Sequence, residues 1–373
     1  GRPVPVGAAH GPGRRGLSVK GLILAGGSGT RLRPITHTGA KQLVPVANTP
    51  ILFYGLQHMA DAGIREVGMI VGDTADEIRS AVGDGSRWGL EVTYIPQDAP
   101  LGLAHAVLIA RDFLGDEDFV MYLGDNLLRD GITSFVDEFK AHRTAAGDDL
   151  CSAQILLAPV PDPQRFGVAE IGPDGEVVAL VEKPDVPPSD LALVGVYLFD
   201  PSIHEAVRAI RPSERGELEI TDAIQWLIDN GHRVRHEVLH GWWLDTGKLT
   251  PLLEANRLIL EVLEPSNHGK VDEHSQLDGR VWVAEGAEIV RSTIRGPVAI
   301  GANTRIIDSY IGPFSSVDAD CEIIGSELEH SIVLANSRVE NVPRVIDSLI
   351  GRHAVVQRTH QRPKANRFLV GDH

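Results

Sequence analysis

Cysteine, long apolar runs and positive charge are all scarce in this chain. Cys151 and Cys321 are the two cysteines among 373 residues, too few for a disulfide framework or a zinc pattern, so both are expected to be small buried apolar residues. No apolar run approaches the roughly twenty residues of a membrane span. The net charge of −16 excludes a general nucleic-acid binder, which carries a basic face. We therefore expect a cytoplasmic protein that binds neither nucleic acid nor a membrane.

The chain is longer than most single domains and long enough to form two. Residues 1–18 are rich in Gly, Pro and Arg and show no periodicity. We interpret them as a disordered leader or an artificial remnant and leave them out of the fold prediction.

The chain from 20 to about 240 alternates short apolar runs with helical patterns. Strands are predicted at Leu22–Leu24, Val67–Val71, Val92–Ile95, Phe119–Leu123 and Val177–Val181. Helices are predicted at 51–62, 75–82, 103–113, 219–230 and 249–263. Because several strand runs are apolar without alternation, the sheet should be covered on both faces. The pattern predicts an α/β fold with a doubly wound, mostly parallel sheet, in which ligands bind at the carboxyl ends of the strands.

After about residue 275 the pattern changes to branched apolar residues spaced five or six apart. They are Ile289, Ile294, Ile300, Ile306, Ile311, Val317 and Ile323. This near-hexad spacing favours a parallel β-helix over an irregular β domain. Since a solenoid exposes its coils, we also expect a homo-oligomer.

A glycine-rich turn follows the first predicted strand, in the segment Leu24-Ala-Gly-Gly-Ser-Gly-Thr-Arg-Leu-Arg-Pro34. It is neither a Walker loop nor a dinucleotide fingerprint. Backbone amides in such a loop can bind phosphates, and Arg31 and Lys41 add two cations. A tight turn with solvated charges would explain the glycines alone.

Two aspartates stand where apolar runs end abruptly, Asp125 in Tyr122-Leu-Gly-Asp-Asn126 and Asp245 in Trp242-Trp-Leu-Asp-Thr-Gly247. Taken singly, each is as well explained as a turn former. Together they could share Mg²⁺, which binds to few carboxylates and completes its shell with substrate phosphates.

The glycine loop, with Lys41-Gln-Leu-Val-Pro-Val46 and Pro50, resembles the signature of the sugar-1-phosphate nucleotidylyltransferases. The resemblance is strongest to the thymidylyltransferase group in its longer form, and it covers almost everything from Val19 onwards. It implies a Rossmann-like catalytic domain at 19–265, a left-handed β-helix at 275–360 and a tail at 361–373. The implied substrates are dTTP and glucose 1-phosphate, with Mg²⁺ as cofactor.

The resemblance also implies roles for individual residues, which we state as expectations. Arg31, Lys41 and Lys183 are the expected catalytic residues, and Asp125 and Asp245 the metal ligands. The nucleotide is expected at Leu24, Gly26, Gly27, Gly29, Thr30, Arg31, Gln97, Gly102 and Asp125. The sugar phosphate is expected at Gln42, Gly167, Glu182, Lys183, Gly195, Tyr197 and Glu217. A charged strand-to-loop junction would equally explain Glu182 and Lys183, and a helix start would explain Glu217.

The choice of base stays open between dTTP and UTP. Gln97 can read a pyrimidine edge with its carboxamide, and Leu103 stands in the Gly-Leu-Ala pattern of the thymidylyl group. His105, however, replaces that group's glutamine. Two other classes are an acyltransferase on the β-helix, using His330, His353 or His360, and a non-catalytic sugar-nucleotide sensor. The sensor hypothesis is disfavoured because Arg31 and both aspartates are present.

Overall fold

The computed structural model describes residues 18–27, 32, 39–144, 150–358 and 366–369. Over these residues the chain forms an α/β part up to Val262, followed by a stack of short strands. Within these ranges, every helix is too short or too polar to cross a membrane.

The α/β part contains thirteen strands within the described residues. They are β1 Val19–Leu24, β2 Pro45–Val46, β3 Thr49–Pro50, β4 Glu66–Val71, β5 Glu91–Pro96, β6 Asp118–Leu123, β7 Asn126–Leu128, β8 Ala153–Pro159, β9 Gly167–Ile171, β10 Val177–Glu182, β11 Leu191–Phe199, β12 Val234–Val238 and β13 Trp243–Asp245. The α-helices in the same residues are α1 Ile51–Asp61, α2 Ala75–Val82, α3 Leu103–Ile109, α4 Arg111–Leu114, α5 Thr133–Thr144, α6 Ile203–Ala209, α7 Ile220–Asp229 and α8 Leu249–Val262.

The central sheet has the order β10-β9-β11-β6-β1-β4-β5, with β8 and β12 continuing from β11. Strands β5, β4, β1 and β6 are parallel to their neighbours, as the alternation of strands and helices predicts. Strand β11 then runs antiparallel to β6, β8 and β9. The doubly wound α/β fold is confirmed, and half of its sheet is antiparallel.

Both faces of the sheet are covered, which explains the unalternated strand sequences. Along β1, Ile23 packs into one apolar cluster with Met69 and Tyr122, whereas Leu22 packs into a second cluster on the opposite face. Successive strand side chains point to opposite faces, so both residues are buried only because helices cover each side.

One helix prediction is wrong, because the structure divides the predicted helix into two. We predicted a single helix over 103–113, but Ala110 leaves helical geometry with φ −85° and ψ 2° and separates α3 from α4.

The C-terminal strands stack into three parallel sheets. The strands are β14 Ser266–Asn267, β15 Lys270–Val271, β16 Gln276–Asp278, β17 Val281–Val283, β18 Glu288–Val290, β19 Thr293–Arg295, β20 Val298–Ile300, β21 Arg305–Ile307, β22 Tyr310–Ile311, β23 Ser315–Val317, β24 Glu322–Ile324, β25 Glu327–Glu329, β26 Ile332–Val333, β27 Arg338–Glu340, β28 Val345–Ile346, β29 Leu349–Ile350, β30 Val355–Arg358 and β31 Asn366–Leu369. Each strand pairs with the strand three places further along the chain, up to β30. Strand β31 then pairs antiparallel with β30 and ends one of the three sheets.

This arrangement is the predicted β-helix, with the three-sheet stacking of the left-handed form. Ile289 lies above Ile306, which lies above Ile323. All seven apolar residues of the predicted repeat pack inside the coils. The near-hexad spacing therefore places one apolar side chain per face.

The β-helix packs on the segment that follows Lys41. Val44, Val46 and Ile51 share an apolar cluster with Leu252 on α8 and with Ile332 and Leu334 of the β-helix. Buried Asn256 links the same parts, because its Oδ1 accepts from Ala47 N at 2.8 Å and from Ser316 Oγ at 2.9 Å.

Candidate active site

Two adjoining cavities open at the carboxyl ends of the parallel strands. The first, of about 220 Å³, is lined by Leu24, Gly26, Gly27, Lys41, Gln42, Ile70, Gln97, Pro100, Gly102, Leu103, Leu123, Asp125 and Glu217. Leu24 and Leu123 end β1 and β6, and Gln97 follows β5. This is where open α/β sheets bind their ligands.

The second cavity, of about 300 Å³, lies between β11, β9 and the start of α7. Its lining includes Asp125, Asn126, Arg165, Phe166, Gly167, Glu182, Lys183, Leu193, Gly195, Tyr197, Arg215, Glu217, Glu219, Ile220, Trp243 and Asp245. Leu103, Leu123, Asp125 and Glu217 line both cavities. The two spaces thus share one wall, with two carboxylates, Asp125 and Glu217, at the junction.

Lys41 meets Asp125 at this shared wall. Its ammonium donates to the Asp125 carboxylate in a short ion pair, and both side chains are largely buried. A Cβ at Gly27 would lie 3.2 Å from Lys41 Cε, so glycine leaves room for the lysine beside the loop. The turn before Lys41 is held by Ala40 N donating to Glu77 Oε2 at 2.9 Å. A cation is therefore fixed where the two cavities join.

Gln42 lies beside Lys41 but lines the first cavity rather than the second. Its side chain is buried, and its Oε1 has no hydrogen-bond partner within the described residues. A buried acceptor without a partner is costly unless a ligand supplies a donor. The position is compatible with a ligand contact.

Asp125 and Asp245 are brought together by a short antiparallel ladder. Strands β7 and β13 pair Asn126 with Asp245, and Thr246 Oγ1 donates to the backbone oxygen of Asp125 at 2.7 Å. The two aspartates, more than a hundred residues apart in sequence, thereby both line the second cavity.

The second cavity contains a network of charges around Glu182. Arg215 donates to Glu219 Oε1 at 2.8 Å and lies 3.3 Å from Glu182 Oε1, while Thr221 Oγ1 donates to Glu182 Oε2 at 3.3 Å. Burial lowers the pKa of Arg215, but its hydrogen bond to Glu219 and the nearby carboxylates outweigh burial and raise it. The guanidinium stays charged and binds these carboxylates together.

Lys183 has an unusual backbone. Its φ is 44°, the left-handed region that side chains other than glycine seldom adopt. Its amide donates to Phe166 O at 2.9 Å, and its Nζ lies 3.1 Å from Glu182 Oε1. Strained backbone of this kind clusters at ligand sites.

Carboxylates outnumber cations in the second cavity. Asp125, Glu182, Glu217, Glu219 and Asp245 line it, against Arg165, Lys183 and Arg215. Within the described residues no group of three or more His, Cys, Asp or Glu could hold a metal by itself. Two hard carboxylates beside an anion site instead suit a cation whose shell is completed by substrate oxygens.

Every predicted site residue that the structure describes lines one of the two cavities. Gly29, Thr30 and Arg31 lie outside the described residues. Sequence reasoning missed Arg165, Phe166, Asn126, Arg215, Glu219 and Trp243. Arg215 had one available signal, its position among Glu214, Glu217 and Glu219 in the segment before α7, because a cation is attracted to neighbouring carboxylates.

The alternative histidines of the β-helix fit catalysis poorly. His330 Nδ1 lies 2.6 Å from Asp347 Oδ1, but its Nε2 is buried, out of reach of an acyl acceptor. His353 is exposed, and His360 lies outside the described residues.

The family model described as nucleotidyl transferase matches residues 20–262. The chain belongs to this family. The matched range contains both cavities, so the enzyme is a nucleotidyltransferase with its candidate active site at their junction.

Similar proteins extend the likeness over almost the whole chain. The enzyme is 59% identical over 355 residues to glucose-1-phosphate thymidylyltransferases of Streptomyces griseus and Streptomyces antibioticus, covering 95% of this chain and 98% of theirs. It is 46% identical over 358 residues to a low-salt glycan biosynthesis nucleotidyltransferase of Haloferax volcanii, again covering 95% of this chain and 98% of the relative.

A crystal structure from Bacillus anthracis, assigned to the glucose-1-phosphate thymidylyltransferases and solved with a sucrose, is similar to about two thirds of the enzyme. The TM-score is 0.61 at 35% identity, and the match covers 67% of the enzyme and 98% of that chain. Almost all of the solved chain therefore has a counterpart in this enzyme.

Proposed function

We propose that the enzyme is a glucose-1-phosphate thymidylyltransferase, which converts dTTP and glucose 1-phosphate into dTDP-glucose and pyrophosphate. The observation that carries the proposal is the pair of adjoining cavities with Lys41 and Asp125 at their shared wall. A reaction between two phosphorylated substrates needs two pockets that meet at the reacting atoms. The 59% identity to enzymes of this name over 95% of the chain supports the choice of substrates.

The chemistry is a displacement at phosphorus. An oxygen of the sugar phosphate bonds to the α-phosphorus, and the bond from that phosphorus to the bridging oxygen breaks, so pyrophosphate leaves with the electron pair. The attacking oxygen is already ionised at neutral pH, so no strong general base is required. The protein has to bring two anions together and neutralise the developing charge.

We assign these tasks to the residues of the two cavities. Lys41 lies at the junction and would contact the α-phosphate and the incoming sugar phosphate. The loop amides of Gly26, Gly27, Gly29 and Thr30, with Arg31, would hold the triphosphate. Lys183 would bind the sugar phosphate, and Glu182 and Glu217 would accept hydrogen bonds from sugar hydroxyls.

Two glycines keep the sugar side open. A Cβ at Gly195 would lie 2.8 Å from Leu123 Cδ1, and one at Gly167 would lie 2.9 Å from Leu193 Cδ1. A side chain at either position would displace residues that line the second cavity.

Mg²⁺ fits the two carboxylates on the chemistry of the donor set. Asp125 and Asp245 would hold it, together with oxygens from the substrates. When bound, the ion would supply positive charge to the phosphate oxygens. Its presence would also offset the excess of carboxylates in the second cavity.

Pyrophosphate release with glucose 1-phosphate and Mg²⁺, comparing dTTP with UTP at equal concentrations, tests the proposed function. We expect strong preference for dTTP. Equal or better use of UTP would keep the mechanism and replace the product by UDP-glucose, and no release with either nucleotide would contradict the proposal.

Asp125→Asn tests the junction. We expect kcat to fall by at least a hundredfold, because the amide neither pairs with Lys41 nor binds a divalent cation well. The matched control is Asp130→Asn, whose carboxylate is well exposed and should leave kcat unchanged. An active Asp125→Asn enzyme would remove Asp125 from the mechanism.

We also propose a cytoplasmic homo-oligomer, since nucleoside triphosphates are cytoplasmic and β-helices commonly self-associate. Light scattering of the purified protein measures the oligomeric state, and a monomer at micromolar concentration would contradict it.

A further inference from the structure

A hydrogen-bonded pair lies at the edge of the first cavity, formed by Gln97 and His105. Gln97 follows β5 and lines the cavity, whereas His105 lies in the first turn of α3. The Gln97 Nε2 is 3.0 Å from His105 Nδ1 and 3.5 Å from the backbone oxygen of Gly102. One carboxamide nitrogen is thus held from two directions.

This contact determines which end of the carboxamide is left for a ligand. An amide nitrogen has two hydrogens and accepts nothing, so His105 Nδ1 must be the acceptor, and Gly102 O takes the second hydrogen. The Gln97 oxygen points instead towards the glycine loop, where it lies 3.6 Å from the position of a Cβ on Gly26. Gln97 therefore presents an acceptor, and no donor, to the cavity.

We propose that His105 is a positioning residue for base selection, which holds Gln97 as a fixed hydrogen-bond acceptor. The inference rests on the proposed function, in which the first cavity binds a pyrimidine nucleotide. Thymine and uracil have an N–H at position 3 that an acceptor can bind. Cytosine has an unprotonated nitrogen there, which would face the Gln97 oxygen as a second acceptor.

The fixed orientation of the Gln97 carboxamide determines whether the site rejects or accepts cytosine. A freely rotating glutamine could turn its amide and donate to cytosine at little cost. With His105 in its Nε2–H tautomer, the turn would set the Gln97 oxygen against the Nδ1 lone pair and would break the part-buried hydrogen bonds to His105 and to Gly102 O. Sites built in this way reject a mismatched partner far more strongly than apolar pockets do.

Two variants with the same branched side-chain shape separate this role from packing. In His105→Asn the Oδ1 takes the place of Nδ1 in the side chain and can still accept from Gln97. In His105→Leu the side chain has as many heavy atoms as that of asparagine, but the acceptor is lost. The ratio of kcat/KM for dTTP to that for dCTP is the measurement.

We expect the wild-type ratio to exceed a hundred, the asparagine variant to stay within about threefold of it, and the leucine variant to lose at least tenfold. The loss should arise mainly from a lower KM for dCTP, because a released Gln97 can donate to cytosine. Equal ratios in all three proteins, or equal losses in both variants, would overturn the assignment.

The proposed function and this inference are tested by different measurements, so that either can fail without the other. Wild-type turnover of dTTP measures the first, and the ratio between variants measures the second. If a variant is too unstable to assay, tryptophan fluorescence titration of the wild type and of Gln97→Leu with dTTP and dCTP replaces it. Loss of the preference in Gln97→Leu supports the acceptor role, and an unchanged preference contradicts it.

Discussion

His204 is a buried histidine whose two ring nitrogens have no hydrogen-bond partner within the described residues. Its ring stacks on Phe119 with centroids 6.1 Å apart. Burial, together with the charges of Arg111 and Arg208, lowers its pKa to about 4. The neutral form is thus required in the folded protein, and the unfolded chain binds a proton more readily.

The sign of the pH effect follows directly. Between the ordinary histidine pKa near 6.5 and about 4, the unfolded state holds more protons, so the free energy of unfolding falls as the pH falls. Between pH 7 and 4.5 we expect the free energy of unfolding of His204→Leu to fall by roughly 1–3 kcal/mol less than that of the wild type. Urea unfolding at both pH values measures this difference.

Exposed His274 supplies the control, because His274→Gln should leave the pH dependence unchanged. Parallel curves for the wild type and His204→Leu would contradict the assignment of this effect to His204.

Individual residues were predictable where a short sequence motif indicated their role. Lys41, Asp125 and Asp245 stand out in the sequence, and the structure brings Lys41 against Asp125. The left-handed backbone of Lys183 and the three contacts of Arg215 were not predictable. Both depend on how distant segments meet rather than on residue type.

The loop between β5 and α3 depends on Gly102. Its φ of 104° suits glycine, and a Cβ there would lie 2.3 Å from Leu218 O. That oxygen accepts from Ala104 N at 3.0 Å, and Leu218 N donates to Leu101 O at 2.7 Å. The start of α3 is therefore held against the segment before α7 with no space for a side chain.

Gly102→Ala should lower the free energy of unfolding by about 3 kcal/mol or more, since strain and a backbone clash coincide. We also expect KM for the nucleotide to rise at least tenfold, because Gly102 O helps to hold Gln97. Gly63→Ala is the matched control. Its φ is also positive, at 75°, but its Cβ would meet nothing within 4 Å, so it should show the conformational cost alone.

Chemical denaturation and steady-state kinetics of the two variants give both numbers. Equal destabilisation by the two substitutions would mean that the close contact with Leu218 contributes nothing.

Elements were predictable where their periodicity was strong. The strand cores β1, β4, β5 and β6 and the helices α1, α2, α7 and α8 match their predicted positions within a few residues. The antiparallel run of β11 was not predicted, because direction depends on which edge of β6 remains free. Helix α6, with seven residues, is too short for its period to be read from sequence.

At the scale of the whole molecule, one asparagine makes several of the hydrogen bonds that join the α/β part to the β-helix. Asn256 on α8 is fully buried, accepts from Ala47 N and Ser316 Oγ, and donates through Nδ2 to Phe314 O at 3.0 Å. Arg352 of the β-helix adds a hydrogen bond to Leu43 O at 3.3 Å. These contacts lie within a few residues of Lys41.

Asn256→Leu should lower the stability of the whole protein by roughly 2–4 kcal/mol, because it leaves several buried polar groups unpaired. Since Ala47 loses its acceptor, kcat should fall as well. Thermal unfolding and pyrophosphate release measure the two effects. Val262→Ala, at the exposed end of the same helix, should change neither, and an Asn256→Leu protein with normal Tm would contradict the joining role.

For the whole molecule, the β-helix was predictable from the spacing of its apolar residues, but its packing against the α/β part was not. Ile332 stands next to Val333 in the sequence, and Val333 packs inside the coils. In the structure Ile332 packs outwards, with Leu334, against Val46 and Leu252. A linear pattern does not distinguish an apolar residue that fills a coil from one that covers a neighbouring domain.

The cluster of Val46, Ile51 and Ile332 has a consequence for synthesis of the chain. Ile51 leaves the ribosome about 280 residues before Ile332, a delay of roughly 15 to 55 seconds at ordinary elongation rates. Throughout that time the apolar cluster around Val46 and Ile51 is incomplete, because Ile332 and Leu334 of the β-helix have yet to join it. Part of the apolar surface beside the candidate active site therefore stays uncovered until translation is nearly complete, and transiently exposed apolar surface of this kind is prone to aggregation.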